Sequence, residues 1–290
     1  MRKKVVITGS GGFIGSNLVP KVAARHGVVA LGHDRCDLLK PASFQNQLKN
    51  VEAVVHLAGL AGVHYSITNP AEVIHKNLAM CLNLLEAIRV NRQHPLFIFA
   101  STDRIYGKPT PLEPYVASKI MGETAIQIYG RLYDIPYIIL RLDAAYGPNQ
   151  PRRMFLSDVI QKMIAQDEIV VGNLGAYRNF IHVDDVADVF LRALKSSPKA
   201  QNAIYDVGGR QCVSLRRALG ILKKTIEKKM VKKITVRVDS KLLERQAQTE
   251  MAIPFKLSIN KTAQYLGWRP KFNLETGLAD TVNWFMKNVQ

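Results

Sequence analysis

The chain has 290 residues, of which 47% are hydrophobic and 22% are charged, and its formal net charge at pH 7 is +17. This length and composition predict a globular protein with a sizeable core, and they exclude a membrane-spanning chain because no apolar run approaches the roughly 20 residues of a membrane span. The N-terminus has neither a long apolar segment nor a small-residue cleavage site, which predicts a cytoplasmic protein. The three cysteines are far apart and in no metal-ligand spacing, so we expect unpaired thiols and no metal site.

The first sixteen residues predict a strand, a tight turn and a helix. The apolar run Val5–Ile7 is followed by a glycine-rich stretch, and an amphipathic pattern begins at Asn17. Glycines at every third position, Gly9, Gly12 and Gly15, would let the backbone approach a diphosphate at the N-terminus of the helix. Their spacing differs from the usual dinucleotide fingerprint. A turn with a purely structural role is therefore the alternative at this point.

Helical and extended patterns alternate through the first two thirds of the chain, which predicts a doubly wound parallel α/β sheet of the Rossmann type. The predicted strands after the first are Val28–Leu31, Val54–Leu57, Leu96–Ala100 and Tyr137–Leu142, and the helices cover about 70–91 and 115–132. After Pro151 the pattern is less regular, which favours a smaller, interleaved C-terminal substrate lobe. The expected dinucleotide-binding domain is 1–150, with 175–205 returning to it, and the lobe comprises 151–174 and 206–290.

A basic segment extends from Arg216 to Arg245 and contains eleven basic residues against three acidic ones. Its lysines recur at helical spacing beside an apolar stripe, which predicts a solvated helix face opposite a core face. The expected core stripe is Leu219, Leu222, Ile226 and Met230. Such a charge also permits contact with nucleic acid or a membrane, but no aromatic residues interleave with the lysines to stack on bases. We therefore expect neither a nucleic-acid nor a membrane partner.

The chain contains one Tyr-x3-Lys pattern, Tyr115 to Lys119, near the start of a predicted helix. Residues four apart share a helix face, and a nearby ammonium is expected to lower the pKa of a tyrosine from about 10 toward neutrality, as a base for hydroxyl groups requires. Taken alone, such a pair is common on protein surfaces. Ser101 and Thr102 follow a predicted strand, where open α/β sheets bind ligands. His56, at the end of an earlier strand, is expected to pack within it.

In this order, the motifs resemble those of the extended short-chain dehydrogenase/reductase family, which includes nucleotide-sugar epimerases and dehydratases. The resemblance covers nearly the whole chain and is especially close to the UDP-glucuronate epimerases and their relatives. Further matching segments are Val55–Gly59, Ala61–Ser66, Asn69-Pro70, Asn77-Leu78, Leu82–Glu86, Arg141, Tyr146-Gly147-Pro148, Arg178–Ala187 and Leu266-Gly267-Trp268-x-Pro270.

The resemblance implies an NAD or NADP cofactor and a nucleotide-diphosphate sugar as substrate. The implied cofactor residues are Gly9, Gly12, Phe13, Ile14 and Gly15 at the pyrophosphate, Asp37 and Leu38 beside the adenine, Leu57, Ala58 and Gly59 along the cofactor path, and Asn77, Ser101, Tyr115 and Lys119 toward the ribose and nicotinamide. Tyr115 would be the acid/base, and catalysis would also use Thr102, Lys119 and Asp103. The implied substrate contacts are Thr102, Asp103, Arg104, Tyr115, Arg178 and Arg245.

The end of the second strand departs from the family pattern. Gly32 stands where NAD-preferring members usually carry the acidic residue that binds the ribose diol. Asp34 could replace that residue, whereas His33 and Arg35 could accept a 2′-phosphate, so the choice between NAD and NADP stays open. The stretch from Ala30 to Leu38 also looks like the deoxysugar reductases of the family.

The expected reaction is epimerisation at C4 through a transient 4-keto sugar. Dehydratases of the family commonly follow their threonine with an Asp-Glu pair, whereas this chain has Asp103 and Arg104, and arginine cannot act as a base. Ala144 and the short linker Lys108–Pro114 also predict an atypical sugar site. The alternatives are a reductase of 4-keto-deoxysugars that consumes NADPH, a dehydratase, or a non-catalytic dinucleotide-binding regulator or scaffold. The resemblance further implies a homodimer that packs the helices of Asn77 and Tyr115.

Overall fold

The computed structural model describes residues 4–106, 113–172, 174–239 and 257–288. The described residues form two compact units. The first draws on Met1–Leu142, Val186–Val207 and Ile259–Arg269, and the second on Asp143–Asp185, Gly208–Ser258 and Pro270–Gln290. Residues 143–150 and 175–185 thus belong with the second unit, whereas the sequence placed them in the dinucleotide-binding domain. The reason is strand pairing, because the short strand at 144–146 pairs with the strand at 177–182.

The first unit contains a six-stranded parallel sheet in the order β2-β1-β3-β4-β5-β9, which confirms the predicted fold class. Its strands are β1 (Lys4–Thr8), β2 (Gly27–Leu31), β3 (Ala53–His56), β4 (Leu96–Thr102), β5 (Tyr137–Leu142) and β9 (Ala203–Val207). Its helices are α1 (Phe13–Ala23), α2 (Val63–Thr68), α3 (Pro70–Val90), α4 (Pro114–Tyr133), most of α6 (Val183–Leu194) and α8 (Asn260–Leu266). The carboxyl ends of β1, β3 and β4 lie side by side, which is where the predicted site residues follow the strands.

The sheet is buried on both faces, as a parallel sheet with helical crossovers requires. All seven residues of β4 are buried, and α3 packs along α4. Gly122 of α4 faces β4, and a Cβ added there would lie 3.1 Å from Cζ of Phe99. His56 is 0% exposed, as expected for a packing residue, and its Nδ1 lies 2.8 Å from Thr8 Oγ1. Burial lowers the pKa of His56 to about 3, with the charge of Lys119 adding to the effect.

The described part of the second unit has its own core, built from three helices and two small sheets. One sheet has the order β10-β8-β6 and the other pairs β11 with β7. The strands are β6 (Ala144–Tyr146), β7 (Glu168–Val171), β8 (Tyr177–His182), β10 (Cys212–Ser214) and β11 (Thr235–Val238), and the helices are α5 (Phe155–Ala165), α7 (Leu215–Met230) and α9 (Leu274–Asn288). Helix α7 is the predicted basic helix. Its lysines at 224, 228 and 229 are exposed.

The predicted apolar stripe of α7 is confirmed at Leu219, Leu222 and Ile226, which are buried. Met230 was wrongly assigned to that stripe, since it is 39% exposed. It is the last residue of the helix, and Val231 beyond it takes a left-handed conformation that turns the chain away.

Within the described ranges, no helix is long and apolar enough to cross a membrane. The same residues contain no group of three or more His, Cys, Asp or Glu side chains that could hold a metal ion. Cys36, Cys81 and Cys212 are free thiols, as expected, and Cys81 is buried.

Candidate active site

The glycine-rich turn between β1 and α1 is a bare backbone cradle. Gly9 has a φ of +65°, and a Cβ there would lie 2.7 Å from the backbone nitrogen of Ala58. A Cβ on Gly15 would collide with the carbonyl oxygen of Gly9. Gly12 is the N-cap of α1 and provides no side-chain cap for the first-turn N–H groups. These features fit a dinucleotide pyrophosphate, which the N–H groups and the positive end of the helix dipole would bind.

Helix α1 begins at Phe13, four residues earlier than the amphipathic pattern indicated. Phe13 and Ile14 therefore lie in its first turn, where backbone N–H groups have no intrahelical partner. This placement is compatible with the pyrophosphate role that the resemblance implies for both residues.

The loop after β3 is tied to α3 and α4 by one buried amide. Asn77 Oδ1 accepts the N–H of Leu60 at 2.7 Å, and its Nδ2 donates to Leu60 O at 3.1 Å and to Ser118 Oγ at 3.0 Å. A Cβ added at Gly59 would lie 3.4 Å from Asn77 Oδ1 and 3.7 Å from Lys119 Nζ. The structure thus gathers Asn77, Lys119 and the predicted cofactor-path residues Leu57, Ala58 and Gly59.

Tyr115 and Lys119 share one face of α4, as their spacing predicts. Lys119 is 5% exposed, and its Nζ donates a 2.8 Å hydrogen bond to the carbonyl oxygen of Ala100. The same Nζ lies 5.8 Å from the centre of the Tyr115 ring. Burial lowers the pKa of Lys119 to about 8, although Cys81 and Glu123 oppose that shift. The lysine therefore carries its proton at neutral pH and loses it under mildly alkaline conditions.

The expected lowering of the Tyr115 pKa is wrong for this structure. The pKa is raised to about 12, chiefly by burial, and Asp103 and Glu113 contribute to the rise while Arg104 opposes it. The physical reason is that loss of hydration disfavours the phenolate, while the ammonium of Lys119 is engaged by a carbonyl oxygen. Tyr115 is thus protonated at neutral pH and can act as a proton donor.

Ser101 and Thr102 end β4, and the next residues continue into a short 3-10 turn, Asp103–Tyr106. Thr102 is 6% exposed, and its Oγ1 accepts the N–H of Arg104 at 3.3 Å. Asp103 is also buried, at 9% exposure. The structure therefore places the predicted Thr102 and Asp103 at the carboxyl edge of the sheet.

The side chain of Arg104 forms an ion pair with Glu113. Glu113 precedes α4 and is two residues before Tyr115, yet the sequence analysis did not select it. The sequence feature that could have indicated Glu113 is the position of its carboxylate, close to the start of the helix that carries Tyr115.

A buried polar network behind the site was also missed. Glu123, one turn beyond Lys119, accepts a 2.5 Å hydrogen bond from Ser101 Oγ and bonds from Nε and Nη2 of Arg141 at 3.0 and 2.6 Å. Arg141 Nη1 donates to the hydroxyl of Tyr106 at 2.6 Å, and that hydroxyl donates to Asp206 Oδ1 at 2.9 Å. Neighbouring strands β4, β5 and β9 place Ser101, Arg141 and Asp206 in register. Glu123 follows Lys119 by four residues, the same spacing that separates Lys119 from Tyr115, and this spacing could have indicated that Glu123 shares their helix face.

The turn after β2 holds the predicted ribose residues in the open. The carbonyl oxygen of Gly32 accepts the N–H groups of Arg35 and Cys36 at 3.0 and 3.1 Å. This turn folds Asp34 back, so that a Cβ on Gly32 would collide with its carboxylate and lie 3.3 Å from Ser10 Oγ of the glycine-rich turn. His33, Asp34 and Arg35 are exposed.

Asp37 and Leu38, the predicted adenine residues, are engaged locally. Asp37 Oδ1 accepts the N–H of Leu39 at 3.0 Å, and Leu38 is 6% exposed within the core of the first unit. Arg178 lies on β8 of the second unit, where its Nη1 donates to Tyr177 O at 2.8 Å. The predicted Arg245 lies outside the described residues.

Residues 5–208 match the model of the NAD dependent epimerase/dehydratase family. The chain belongs to this family. The UDP-glucuronate 4-epimerase of Thermodesulfobacterium geofontis is 29% identical, over 83% of this chain and 74% of its own length. Two solved structures superpose over 99% of this chain and 100% of their own: Thermotoga maritima UDP-glucose 4-epimerase with UDP-glucose, at 25% identity and a TM-score of 0.85, and Thermus thermophilus UDP-glucose 4-epimerase with NAD, at 27% and 0.84.

As a member of the epimerase/dehydratase family, the protein is an enzyme of the extended short-chain dehydrogenase/reductase type, and its cofactor is NAD or NADP. The bare cradle at Gly9–Gly15 fits that cofactor on its own geometry.

Proposed function

We propose that the protein is an NAD(P)-dependent nucleotide-sugar epimerase that inverts C4 of the sugar through a transient 4-keto sugar. The observation that carries this proposal is the grouping of Thr102, Tyr115 and Lys119 beside the glycine-rich cradle, at the carboxyl edge of one sheet. Similarity to enzymes named as UDP-glucose and UDP-glucuronate 4-epimerases supports the reaction class and a UDP-sugar substrate.

In the proposed reaction, the cofactor held at Gly9–Gly15 would supply reversible hydride transfer at C4 of the sugar. Tyr115 Oη accepts the C4 hydroxyl proton as the ketone forms and donates it back as the ketone is reduced. Its raised pKa favours the donation. Accepting the proton depends on positive charge close by, which Lys119 carries below its pKa of about 8. Thr102 Oγ1 is proposed to orient the reacting hydroxyl.

The other residue roles also stay proposals. Gly9–Gly15 would hold the pyrophosphate, the loop Leu57–Gly59 would line the cofactor, and Asn77 and Ser101 would contact its ribose and nicotinamide side. We assign cofactor binding and the substrate contacts of Thr102 and Tyr115 to the first unit, and we propose Arg178 of the second unit as a further substrate contact. A homodimer through α3 and α4 is supported by three exposed apolar residues on α4, namely Met121, Ile128 and Leu132, at 42%, 48% and 63% exposure.

Dehydration is disfavoured by the charge at position 104. A 4,6-elimination needs a base that removes a proton next to the keto group. Arg104 is instead a cation in an ion pair with Glu113. Reduction of a 4-keto-deoxysugar remains the competing reaction, because it would use the same Tyr115 and Lys119.

The test is incubation of the purified protein with UDP-glucose and with UDP-glucuronate, followed by analysis of the sugar products by NMR. We expect the C4 epimer to form without net consumption of NADH or NADPH. Stoichiometric oxidation of NADPH with a 4-keto-deoxysugar would show a reductase instead. Failure to convert any nucleotide sugar would contradict the proposed activity.

A further inference from the structure

The Arg104–Glu113 ion pair connects the two segments that carry the proposed catalytic groups. Arg104 is two residues after Thr102, and Glu113 is two residues before Tyr115. Nη2 of Arg104 donates to Oε1 of Glu113, and the side chains are 26% and 9% exposed. The pKa of Tyr115 responds to the charges of Arg104, Asp103 and Glu113, which places these charges close to the phenol.

One oxygen of this pair has no partner. Glu113 Oε2 is buried and accepts no hydrogen bond from any residue that the structure describes. A buried acceptor without a donor is unfavourable, and a ligand that supplies the donor gains the corresponding free energy on binding. The free oxygen of a side chain that is 9% exposed beside Tyr115 therefore indicates a donor group on the substrate.

The chemistry of the free oxygen decides which substrate group can be that donor. Around Tyr115, the acidic Asp103 and Glu113 are balanced by the basic Arg104 and Lys119, so the requirement is for a hydrogen-bond donor at Glu113 Oε2. A hydroxyl group can donate a hydrogen bond to Glu113 Oε2 without adding charge. A sugar carboxylate has no proton to donate at neutral pH, and its negative charge would face that of Glu113.

From this geometry we infer that Glu113 is a specificity-determining residue, whose free oxygen binds a hydroxyl group of a neutral nucleotide sugar and discriminates against nucleotide uronates. This inference rests on the proposed epimerase function and deepens it. It separates the protein from the similar enzymes that are named for UDP-glucuronate. In this arrangement Glu113 also keeps Arg104 from serving as a carboxylate receptor, because the two side chains neutralise each other.

The experiment compares UDP-glucose with UDP-glucuronate for the wild type and for Glu113→Gln. For the wild type we expect kcat/KM to be at least about tenfold higher with UDP-glucose than with UDP-glucuronate. This is the difference expected when one substrate carboxylate is left unpaired or is repelled. Glutamine keeps the size of the side chain but removes the negative charge that Glu113 places against Arg104. The ratio should then shift by about tenfold toward UDP-glucuronate. A variant that is merely less stable would lose both activities in the same proportion.

Glu72→Gln is the matched control, since Glu72 is a partly exposed carboxylate of α3 that pairs with Lys76. We expect it to leave the substrate ratio within about twofold. A wild type that prefers UDP-glucuronate, or a Glu113→Gln variant with an unchanged ratio, would overturn the inference. Calorimetric affinities for the two nucleotide sugars test it independently of turnover, so an inactive protein that binds UDP-glucose more tightly would contradict only the epimerase function.

Discussion

Helix α4 and the turn after β2 are both assigned to the cofactor side of the site, but they are held in different ways. On α4, Lys119 and Glu123 are at most 5% exposed, and each is fixed by hydrogen bonds to β4. On the turn, Asp34 and Arg35 have side chains that are 76% and 70% exposed, and a single 3.7 Å ion pair joins them. The orientation and charge of the buried α4 side chains are therefore set by the residues packed against them. The binding properties of the turn depend on which side chains it carries.

The largest effect is expected at Tyr115. Tyr115→Phe removes the proposed proton carrier and leaves the packing of the ring, so turnover of a UDP-sugar should fall by about 10²- to 10⁴-fold. Cofactor affinity, measured by fluorescence titration with NADH and NADPH, should change little. Unchanged turnover would contradict the acid/base role and would favour a binding-only protein.

Breaking the ion pair behind the site should reduce stability strongly. Glu123→Gln leaves the charge of Arg141 without a buried counter-ion, which we expect to lower the free energy of unfolding by about 3 kcal/mol in urea titrations. Glu168→Gln is the control, because Glu168 pairs with Arg237 on the surface at 46% and 68% exposure. Its effect should stay below about 1 kcal/mol. Equal losses for the two variants would show that Glu123 gains nothing from burial.

His56 should make the fold sensitive to acid. Its pKa is about 3 in the folded protein against an ordinary value of 6.5, so between these values the unfolded chain binds a proton that the folded chain does not. The free energy of unfolding should therefore fall as the pH drops below 6.5, by about 1.4 kcal/mol per pH unit from this group. Urea titrations at pH 7 and at pH 4.5 should show a loss that is about 2.5 kcal/mol smaller in His56→Asn than in the wild type. The same pH dependence in both proteins would mean that His56 is not the responsible group.

The smallest effects are expected on the exposed turn. Asp34 is folded over Gly32, beside the glycine-rich turn, where it can accept hydrogen bonds from a ribose diol. Asp34→Asn should weaken NADH binding by about tenfold, and Arg35→Ala by less than about threefold, with folding stability unchanged within about 0.5 kcal/mol in both. Fluorescence titration measures the affinities. A larger loss for NADPH in Arg35→Ala would assign the turn to a 2′-phosphate instead.

The sequence predicted the sheet and the shared face of Tyr115 and Lys119, because hydrophobic period and four-residue spacing are local properties. It failed on the pKa of Tyr115, since that value depends on burial and on Arg104 and Glu113, which the fold brings together. Glu123 was missed for the same reason. Its partner Arg141 is 18 residues away and lies on another element. A sequence pattern therefore predicts which residue types share a face, whereas the partner of a buried charge is known only from the structure.

The position of the Tyr115 and Lys119 side chains also depends on Gly122, which carries no reactive group itself. The missing side chain lets α4 approach Phe99 of β4 closely, one turn beyond the point where Lys119 reaches the carbonyl of Ala100. Transplanting the Tyr-x3-Lys pair into another scaffold would therefore fail if a bulkier residue at the equivalent of position 122 pushed the helix outward. For enzyme engineering, the helix-to-strand distance has to be copied along with the two side chains.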